Sequence, residues 1–259
     1  MNTGADDLDD GLEYAVDSDV PVSEDETQQV QQINQVKPDN DKRKKRKAQM
    51  AEKKRKRMET ELTVKKSLAK LHPDIIADYI ARKARIWHPK LSHVELDDAY
   101  LISSQRILDT TAWDKTRTLD TFAGFLRMTT AAAPADLTVA SELKSAPYVV
   151  VISISAIRVC DLRRAVPKSI TAIKLIAKNN LAKDTSFLQS ATPAVLLCTP
   201  ERLKSLLDKD ALNLTNLTTV VIDCSFLDPK SRSVLDDVPD TVTVAKRLVS
   251  SSAAHVALF

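Results

Sequence analysis

The sequence predicts an α/β fold, an open doubly wound parallel sheet that follows a helical segment. From Tyr148 onward, short apolar runs alternate with segments of helical pattern, an order typical of parallel sheets wrapped by helices. The runs hold Val, Ile and Leu at nearly consecutive positions, as expected for strands buried on both faces. At 259 residues, the chain has room for one such domain of moderate size.

Two blocks of opposite charge precede this pattern. Met1–Val36 contains ten Asp or Glu residues and no Lys or Arg, whereas Lys42–Arg57 contains eleven Lys or Arg residues against a lone Glu52. Such blocks repel internally and bury too little apolar surface to offset chain entropy. We therefore expect residues 1–41 to be an acidic disordered tail. Residues 42–71 lack Gly and Pro, which favours a basic helical arm.

Residues 72–135 are predicted to be a helical segment that packs on the core. Pro73 stands where a first helical turn tolerates proline. Ser92 and Glu95 have the spacing of a capping box, in which hydroxyl and carboxylate bind the first free amides of a helix. We expect a short helix after Pro73, further helices over Ser92–Ala112 and Leu119–Met128, and connectors at Ala131–Ala135 and around Pro147.

Residues 136–259 are predicted to form the α/β domain. Its strand candidates are Tyr148–Ile154, Ile170–Ile176, Ala194–Cys198, Thr218–Cys224, Thr241–Ala245 and His255–Phe259. Crossover helices are expected over Leu162–Val166, Pro200–Leu207 and Pro229–Leu235. The last two share a start signal, because Thr199 and Asp228 each place a capping oxygen before a Pro at the first helical position.

Composition narrows the function classes. The three cysteines, Cys160, Cys198 and Cys224, lie in or beside apolar runs, which indicates buried reduced thiols rather than disulfides. The four histidines lack the spacing of metal ligands. No apolar stretch approaches the roughly 20 residues that span a bilayer, and the acidic N-terminus is unlike a signal peptide. We expect a soluble intracellular protein without metal, cofactor, membrane contact or small-molecule substrate.

Two segments of the α/β part resemble the first lobe of DEAD-box RNA helicases, in the same order. Ala194–Leu207 (AVLLCTPERLKSLL) is similar to the strand that precedes T-P-G-R-L, and Leu217–Asp228 (LTTVVIDCSFLD) to the strand that ends in D-E-A-D. Thr199 and Arg202 match the first motif, whereas Glu201 replaces its Gly. The resemblance implies a single degenerate RecA-like lobe. It makes Thr199 and Arg202 candidate RNA-binding residues, and a purely structural helix cap is the alternative.

The residues that hydrolyse a nucleotide are missing from this pattern. A phosphate loop needs glycines followed by Lys-Ser or Lys-Thr, and none of the chain's three glycines has that context. In a helicase the loop would lie upstream of the Tyr148 run, where Gly124 stands alone in a helical pattern. Asp223 matches the first Asp of D-E-A-D, which helps to hold Mg²⁺ in the helicases, but Cys224 replaces the Glu and cannot act as a carboxylate base. The alternative interpretation of Asp223 is a cap of the turn after a strand. We expect no catalytic and no nucleotide-binding residue.

Two groups of basic residues remain. Arg158, Arg163 and Arg164 follow the Tyr148 run and are interpreted as phosphate contacts or as the solvated face of a helix. The basic arm fits a nuclear import signal, and equally an arm that follows a phosphate backbone; a solvated helix without a partner is the alternative. Its candidate RNA-binding residues are Lys42, Arg43, Lys44, Lys45, Arg46, Lys47, Lys53, Lys54, Arg55, Lys56 and Arg57.

The layout as a whole resembles the Cms family of degenerate DEAD-box-like proteins of the 90S pre-ribosome. This resemblance implies a non-enzymatic ribosome biogenesis factor of the small-subunit processome, a scaffold in small-subunit rRNA maturation located in the nucleus and nucleolus. The implied partners are pre-rRNA and ribosome-assembly proteins, with the chain monomeric inside a large ribonucleoprotein. Two alternatives stay open: a residual ATPase or helicase-associated lobe, and a general nuclear nucleic-acid-binding protein.

Overall fold

The computed structural model describes residues 39–130, 137–139 and 141–259, without the side chains of residues 39–42 and 237. Residues 1–38 of the predicted acidic tail and the predicted connector at Ala131–Ala135 lie outside the described residues. The chain divides into two compact units, Met1–Gln49 and Met50–Phe259. The predicted helical segment and α/β domain therefore belong to the same unit.

The part that precedes the sheet is helical, as predicted. Its elements are α1 (Asp39–Ser67), a 3₁₀ turn (Leu68–Lys70), α2 (Pro73–Trp87), α3 (His93–Ala99), a second 3₁₀ turn (Ser104–Arg106) and α4 (Leu119–Thr129). Pro73 lies in the first turn of α2, where its missing amide costs no hydrogen bond. The apolar face of α2 buries Ile76, Ile80 and Ala84, the spacing of an amphipathic helix.

The long helix predicted over Ser92–Ala112 is wrong beyond its first turns. The capping box is present, because the Glu95 amide donates to Ser92 Oγ at 3.3 Å and the Ser92 amide donates to Glu95 Oε2 at 2.8 Å. However, α3 ends at Ala99. The following chain joins the edge of the sheet, where the Leu108 amide donates to the Val256 carbonyl at 2.7 Å. Tertiary pairing at this edge overrides the local helical pattern.

The described residues form one five-stranded parallel sheet, so the predicted fold class is confirmed. Its strands are β1 (Val149–Ile152), β2 (Ala172–Leu175), β3 (Val195–Cys198), β4 (Thr219–Ile222) and β5 (His255–Leu258), in the order β2-β3-β1-β4-β5. The register aligns Val149 of β1 with Val195 of β3 and Thr219 of β4. The five matching strand predictions are confirmed to within two residues at each end.

Helices cover both faces of the sheet. Alternate strand residues point to opposite sides, and they divide between two apolar clusters. One cluster joins strand residues such as Val150 and Ile222 to α2, α6 (Leu181–Ser190), α7 (Pro200–Leu207) and α9 (Pro239–Ser250). The other joins Val151 and Val221 to α4 and α5 (Ala156–Ala165). This two-sided burial explains the continuous Val, Ile and Leu content of the strands.

One strand prediction and one helix start are wrong. Thr241–Ala245 lies inside α9, not in a strand, because β4 and β5 are parallel neighbours and need a crossover between them. The sequence pattern predicts that a crossover helix begins at Pro229. The helix instead begins at Pro239, in the first turn of α9. Asp228 instead accepts from the Lys230 and Arg232 amides at 2.9 and 2.8 Å, which closes a turn. The short α8 (Val234–Asp237) follows this turn. The helix α6 is a further element that the sequence pattern does not predict.

A buried carboxylate on α8 connects the helical segment to the lobe. Asp236 accepts from the Tyr79 hydroxyl, from Ser233 Oγ at 2.7 Å and from Lys83 Nζ at 2.9 Å. Tyr79 and Lys83 belong to α2. Burial alone would raise the pKa of Asp236, but these hydrogen bonds outweigh it and hold the pKa below its ordinary value. Burial and the same hydrogen bond raise the pKa of Tyr79.

Tyr79→Phe is expected to lower the free energy of unfolding at neutral pH by about 1–3 kcal/mol, because a buried carboxylate loses a donor. The depressed pKa of Asp236 contributes stability that is present above the unfolded pKa, about 3.9, and is lost as the pH falls through the lower folded value. Urea denaturation at neutral and acidic pH measures both effects. On acidification, the Tyr79→Phe variant should lose less free energy of unfolding than the unchanged chain. Equal losses in the two proteins would contradict this role of Asp236.

Candidate functional site

The Asp that matches the helicase motif is sealed inside the protein. Asp223 follows β4 and is fully buried. Its Oδ2 accepts from Arg158 Nε at 2.9 Å and from Ser153 Oγ at 3.0 Å, and its Oδ1 accepts from Ser225 Oγ at 2.6 Å. The Arg158 guanidinium also lies 5.2 Å from the centre of the Phe226 ring. The Asp223 carboxylate is therefore the anionic half of an internal ion pair.

This geometry corrects two sequence interpretations. Asp223 binds three side chains rather than acting as a simple turn cap. Arg158 is 7% exposed, so it is neither a solvated residue nor an accessible phosphate contact. It lies one turn into α5, whose N-cap Ser155 accepts from the Arg158 amide at 3.2 Å. No local pattern in the sequence indicates this pairing, because the two partners are 65 positions apart.

The residue after Asp223 is also unsuited to acid–base chemistry. Cys224 is buried, and burial, followed by the nearby Asp223 charge, raises the pKa of its thiol well above the ordinary value. The thiol is therefore neutral at physiological pH and does not replace a carboxylate base. Cys198, at the end of β3, is buried in the same way, and burial raises its pKa too.

A single parallel bridge, a loop and a helix follow one another in the order of a phosphate-loop element, earlier in the chain than the segment around Gly124. Ile107 forms a parallel bridge with Val256 of β5, Asp109–Thr118 follows, and α4 begins at Leu119. This loop contains no glycine, although it holds the pair Lys115-Thr116. Gly124, the predicted neighbour of the loop, lies inside α4. The signal that could have found this loop is the Lys115-Thr116 pair a few residues after the apolar residues Ile107 and Leu108.

Two side-chain donors of this loop bind the chain's own backbone. Arg117 Nη2 donates to the Ala69 carbonyl at 2.7 Å and to Thr110 Oγ1 at 3.0 Å. Thr110 Oγ1 donates to the same Ala69 carbonyl at 3.2 Å. Burial lowers the pKa of Arg117. The Ala69 carbonyl of the 3₁₀ turn Leu68–Lys70 therefore binds two donors of a loop that, in nucleotide-binding folds, faces phosphate.

The T-P-E-R-L motif forms the start of α7, as predicted, with Pro200 in the first turn. The capping oxygen predicted for Thr199 is wrong, because its side chain makes no capping hydrogen bond. This end of the helix lines a crevice of about 670 Å³, together with the segments that follow β1 and β2. Glu201 and Asp240 bring carboxylates to the crevice, and Lys204 Nζ lies 3.0 Å from Asp240 Oδ1. The positive charge of Lys204 is therefore partly neutralised within the crevice.

The two candidate RNA-binding residues of this motif are both buried. Arg202 donates to the carbonyls of Ile176, Ala177 and Asn179, and its Nε lies 3.6 Å from Asp184 Oδ2. These contacts hold the connection between β2 and α6 against α7. The geometry favours the structural interpretation of Arg202, and RNA contact by Arg202 and Thr199 stays a prediction.

The candidate residues of the basic arm lie along α1. Every described side chain in Arg43–Lys47 and Lys53–Arg57 is exposed, and the Lys42 side chain lies outside the description. Lys56 Nζ lies 2.9 Å from Glu52 Oε1, an exposed pair of the kind that contributes little to stability. The arm therefore presents its positive charge directly to solvent.

Two further properties of the described residues bear on the site. No helix in them is both long and apolar enough to cross a membrane. Their His, Cys, Asp and Glu side chains form no group of three that could hold a metal ion.

Comparison with known proteins identifies the family. A family model described as "CMS1: U3-containing 90S pre-ribosomal complex subunit" matches residues 23–254. Protein CMS1 of Chaetomium thermophilum is 31% identical over 196 residues, which cover 74% of this chain and 77% of that protein. Protein CMS1 of Saccharomyces cerevisiae is 24% identical over 185 residues, covering 66% of this chain and 58% of that protein. This chain, with its parallel sheet, buried Asp223 and exposed basic helix, therefore belongs to the CMS1 family.

Proposed function

We propose that this chain is a non-enzymatic ribosome biogenesis factor of the 90S pre-ribosome. In this role it acts in small-subunit rRNA maturation, as a scaffold that binds pre-rRNA and assembly proteins. The observation that carries the proposal is the match of residues 23–254 to a family described as a 90S pre-ribosomal complex subunit. The proposal also places the chain in the nucleolus, as a single copy within a large ribonucleoprotein.

The sealed Asp223 supports the non-enzymatic part of the proposal. Phosphoryl transfer needs an acidic side chain to hold Mg²⁺ and amides that surround the phosphates. Asp223 is neutralised by Arg158 at 2.9 Å. Arg117 and Thr110, in the loop between Ile107 and α4, donate to the Ala69 carbonyl. The Asp223 carboxylate and two donors of this loop are therefore engaged within the fold.

The exposed basic residues of α1 support RNA binding. Lys and Arg side chains that neutralise phosphates release counterions, which supplies sequence-independent affinity. Lys53–Arg57 contains five such residues in succession, all exposed. By contrast, the buried Arg202 of α7 donates to carbonyls of its own chain. We therefore assign RNA binding to the arm and protein contacts to the lobe.

Crosslinking in cells, followed by sequencing of the recovered RNA, tests the proposal. The full chain should recover small-subunit pre-rRNA, and replacing each basic residue of Lys53–Arg57 with Gln should lower that recovery by about tenfold. A foreign nuclear import signal on every variant keeps import constant. The matched control replaces five exposed lysines elsewhere with Gln: Lys90, Lys144, Lys168, Lys183 and Lys209.

Two results would contradict the proposal. Recovery of DNA or mRNA without pre-rRNA would indicate a general nuclear nucleic-acid-binding protein. Saturable, Mg²⁺-dependent binding of a fluorescent ATP analogue to the purified chain at micromolar concentration would indicate a residual ATPase. If the Lys53–Arg57 variant recovers as much pre-rRNA as the unchanged chain, these residues do not bind the RNA.

A further inference from the structure

The positive charge of α1 surrounds the helix instead of lying on one face. Successive residues of an α-helix are rotated by about 100°, so five consecutive residues pass through more than one full turn. Lys54 and Arg57 then lie on one side of the helix, and Arg55 and Lys56 lie on the opposite side. All four side chains are exposed, and Lys56 also forms the exposed pair with Glu52, which leaves one further positive charge, Arg55, on its side. Arg43–Lys47, also five consecutive basic residues, has the same property.

Such a helix fits a ligand that presents phosphates on two sides. A helix that lies across one phosphate backbone uses a single basic face, and charges on its opposite face remain in water. The described apolar side chains near the block do not supply a packing face either, since Met50 and Met58 are 63% and 53% exposed. Positive charge on both sides therefore matches a groove with a phosphate backbone along each wall.

RNA offers such a groove only where its duplex is distorted. The major groove of regular A-form RNA is deep and narrow, whereas a helix with its side chains is about 10–12 Å wide. A bulge or internal loop widens the groove locally. We infer that the basic helix of α1 inserts into the widened major groove of a bulged RNA duplex. This inference rests on the proposed function and names the class of RNA that the arm binds.

Equilibrium binding of the full chain to three RNAs of equal length tests the inference. They are a regular duplex, the same duplex with an internal bulge, and a single strand, each titrated at several salt concentrations. Two variants separate the sides of the helix, K54Q/R57Q and R55Q/K56Q. Each removes one Lys and one Arg, and Gln keeps helix propensity close to that of Lys and Arg. Circular dichroism checks that α1 remains helical.

The bulged duplex should bind on the order of tenfold more tightly than the other two RNAs. Each variant should weaken that binding on the order of tenfold and reduce the slope of log affinity against log salt by about two. If only one variant weakens binding, or the bulge gives no preference, the inference is wrong while RNA binding stands. Failure to bind any of the three RNAs would refute the proposed function and the inference together.

Discussion

Arg158→Ala is expected to lower the free energy of unfolding by about 3–5 kcal/mol, because it leaves the carboxylate of Asp223 buried without a counter-charge. The side chains of Arg158 and Asp223 are 9% and 0% exposed, so bulk water does not hydrate the carboxylate in the unchanged chain. The change also removes Arg158 Nη2, which donates a hydrogen bond to Ser225 Oγ at 2.9 Å. Chemical denaturation of the purified chain measures the effect.

Two further variants distinguish the charge from the space that the side chains fill. Asp223→Asn keeps the volume but removes the negative charge, and it should also destabilise the chain, since Arg158 is then the unpaired ion. The double variant Arg158→Met with Asp223→Leu removes both charges and should recover much of the lost stability, because apolar residues of similar volume often replace a buried pair without cost. A double variant no more stable than Arg158→Ala would show that packing dominates.

The Asp223→Asn variant also tests the proposed scaffold role. At a temperature where Asp223→Asn remains folded, its recovery of pre-rRNA should equal that of the unchanged chain. A loss of recovery in a folded protein would mean that the Asp223 carboxylate contributes to function beyond stability.

The sheet was predictable because its strands are buried on both faces. Nearly continuous Val, Ile and Leu marked β1, β3 and β4, and Thr199-Pro200 marked the start of α7. Thr241–Ala245 misled because its β-branched residues fit a strand locally. Its helical state follows from the parallel pairing of β4 with β5, which no local pattern contains. The end of α3 at Ala99 has the same kind of cause, the pairing of Leu108 with β5.

The sequence indicates which residues of the helicase pattern are missing at the candidate site. The sequence predicts that Cys224 and the absence of a glycine-rich loop remove nucleotide chemistry, and it predicts an exposed basic arm. It does not show what replaces the missing ligands. The contacts of Asp223 with Arg158, and of Arg117 with Ala69, join residues 65 and 48 positions apart. Only the folded chain brings such partners together.

Truncation at two points should separate the arm from the folded lobe. A chain that begins at Met58 should melt within a few degrees of the full chain, since Arg43–Arg57 contributes exposed side chains in the described residues. A chain that begins at His72 should be strongly destabilised. It lacks Leu68 and Ala69, which are 1% and 3% exposed, and loss of a buried Leu side chain alone costs about 2–5 kcal/mol.

The shorter chain also loses an acceptor that the lobe needs. Without the Ala69 carbonyl, Arg117 and Thr110 keep buried donors without their partner, at a cost of about 1–3 kcal/mol. Leu68→Ala in the full chain is the matched control, because it removes apolar contact but keeps the carbonyl. Thermal melts followed by circular dichroism should rank the Met58 chain first, Leu68→Ala second and the His72 chain last. An unchanged melt for the His72 chain would mean that the 3₁₀ turn only rests on the lobe, and the turn could then leave the loop donors free for another ligand.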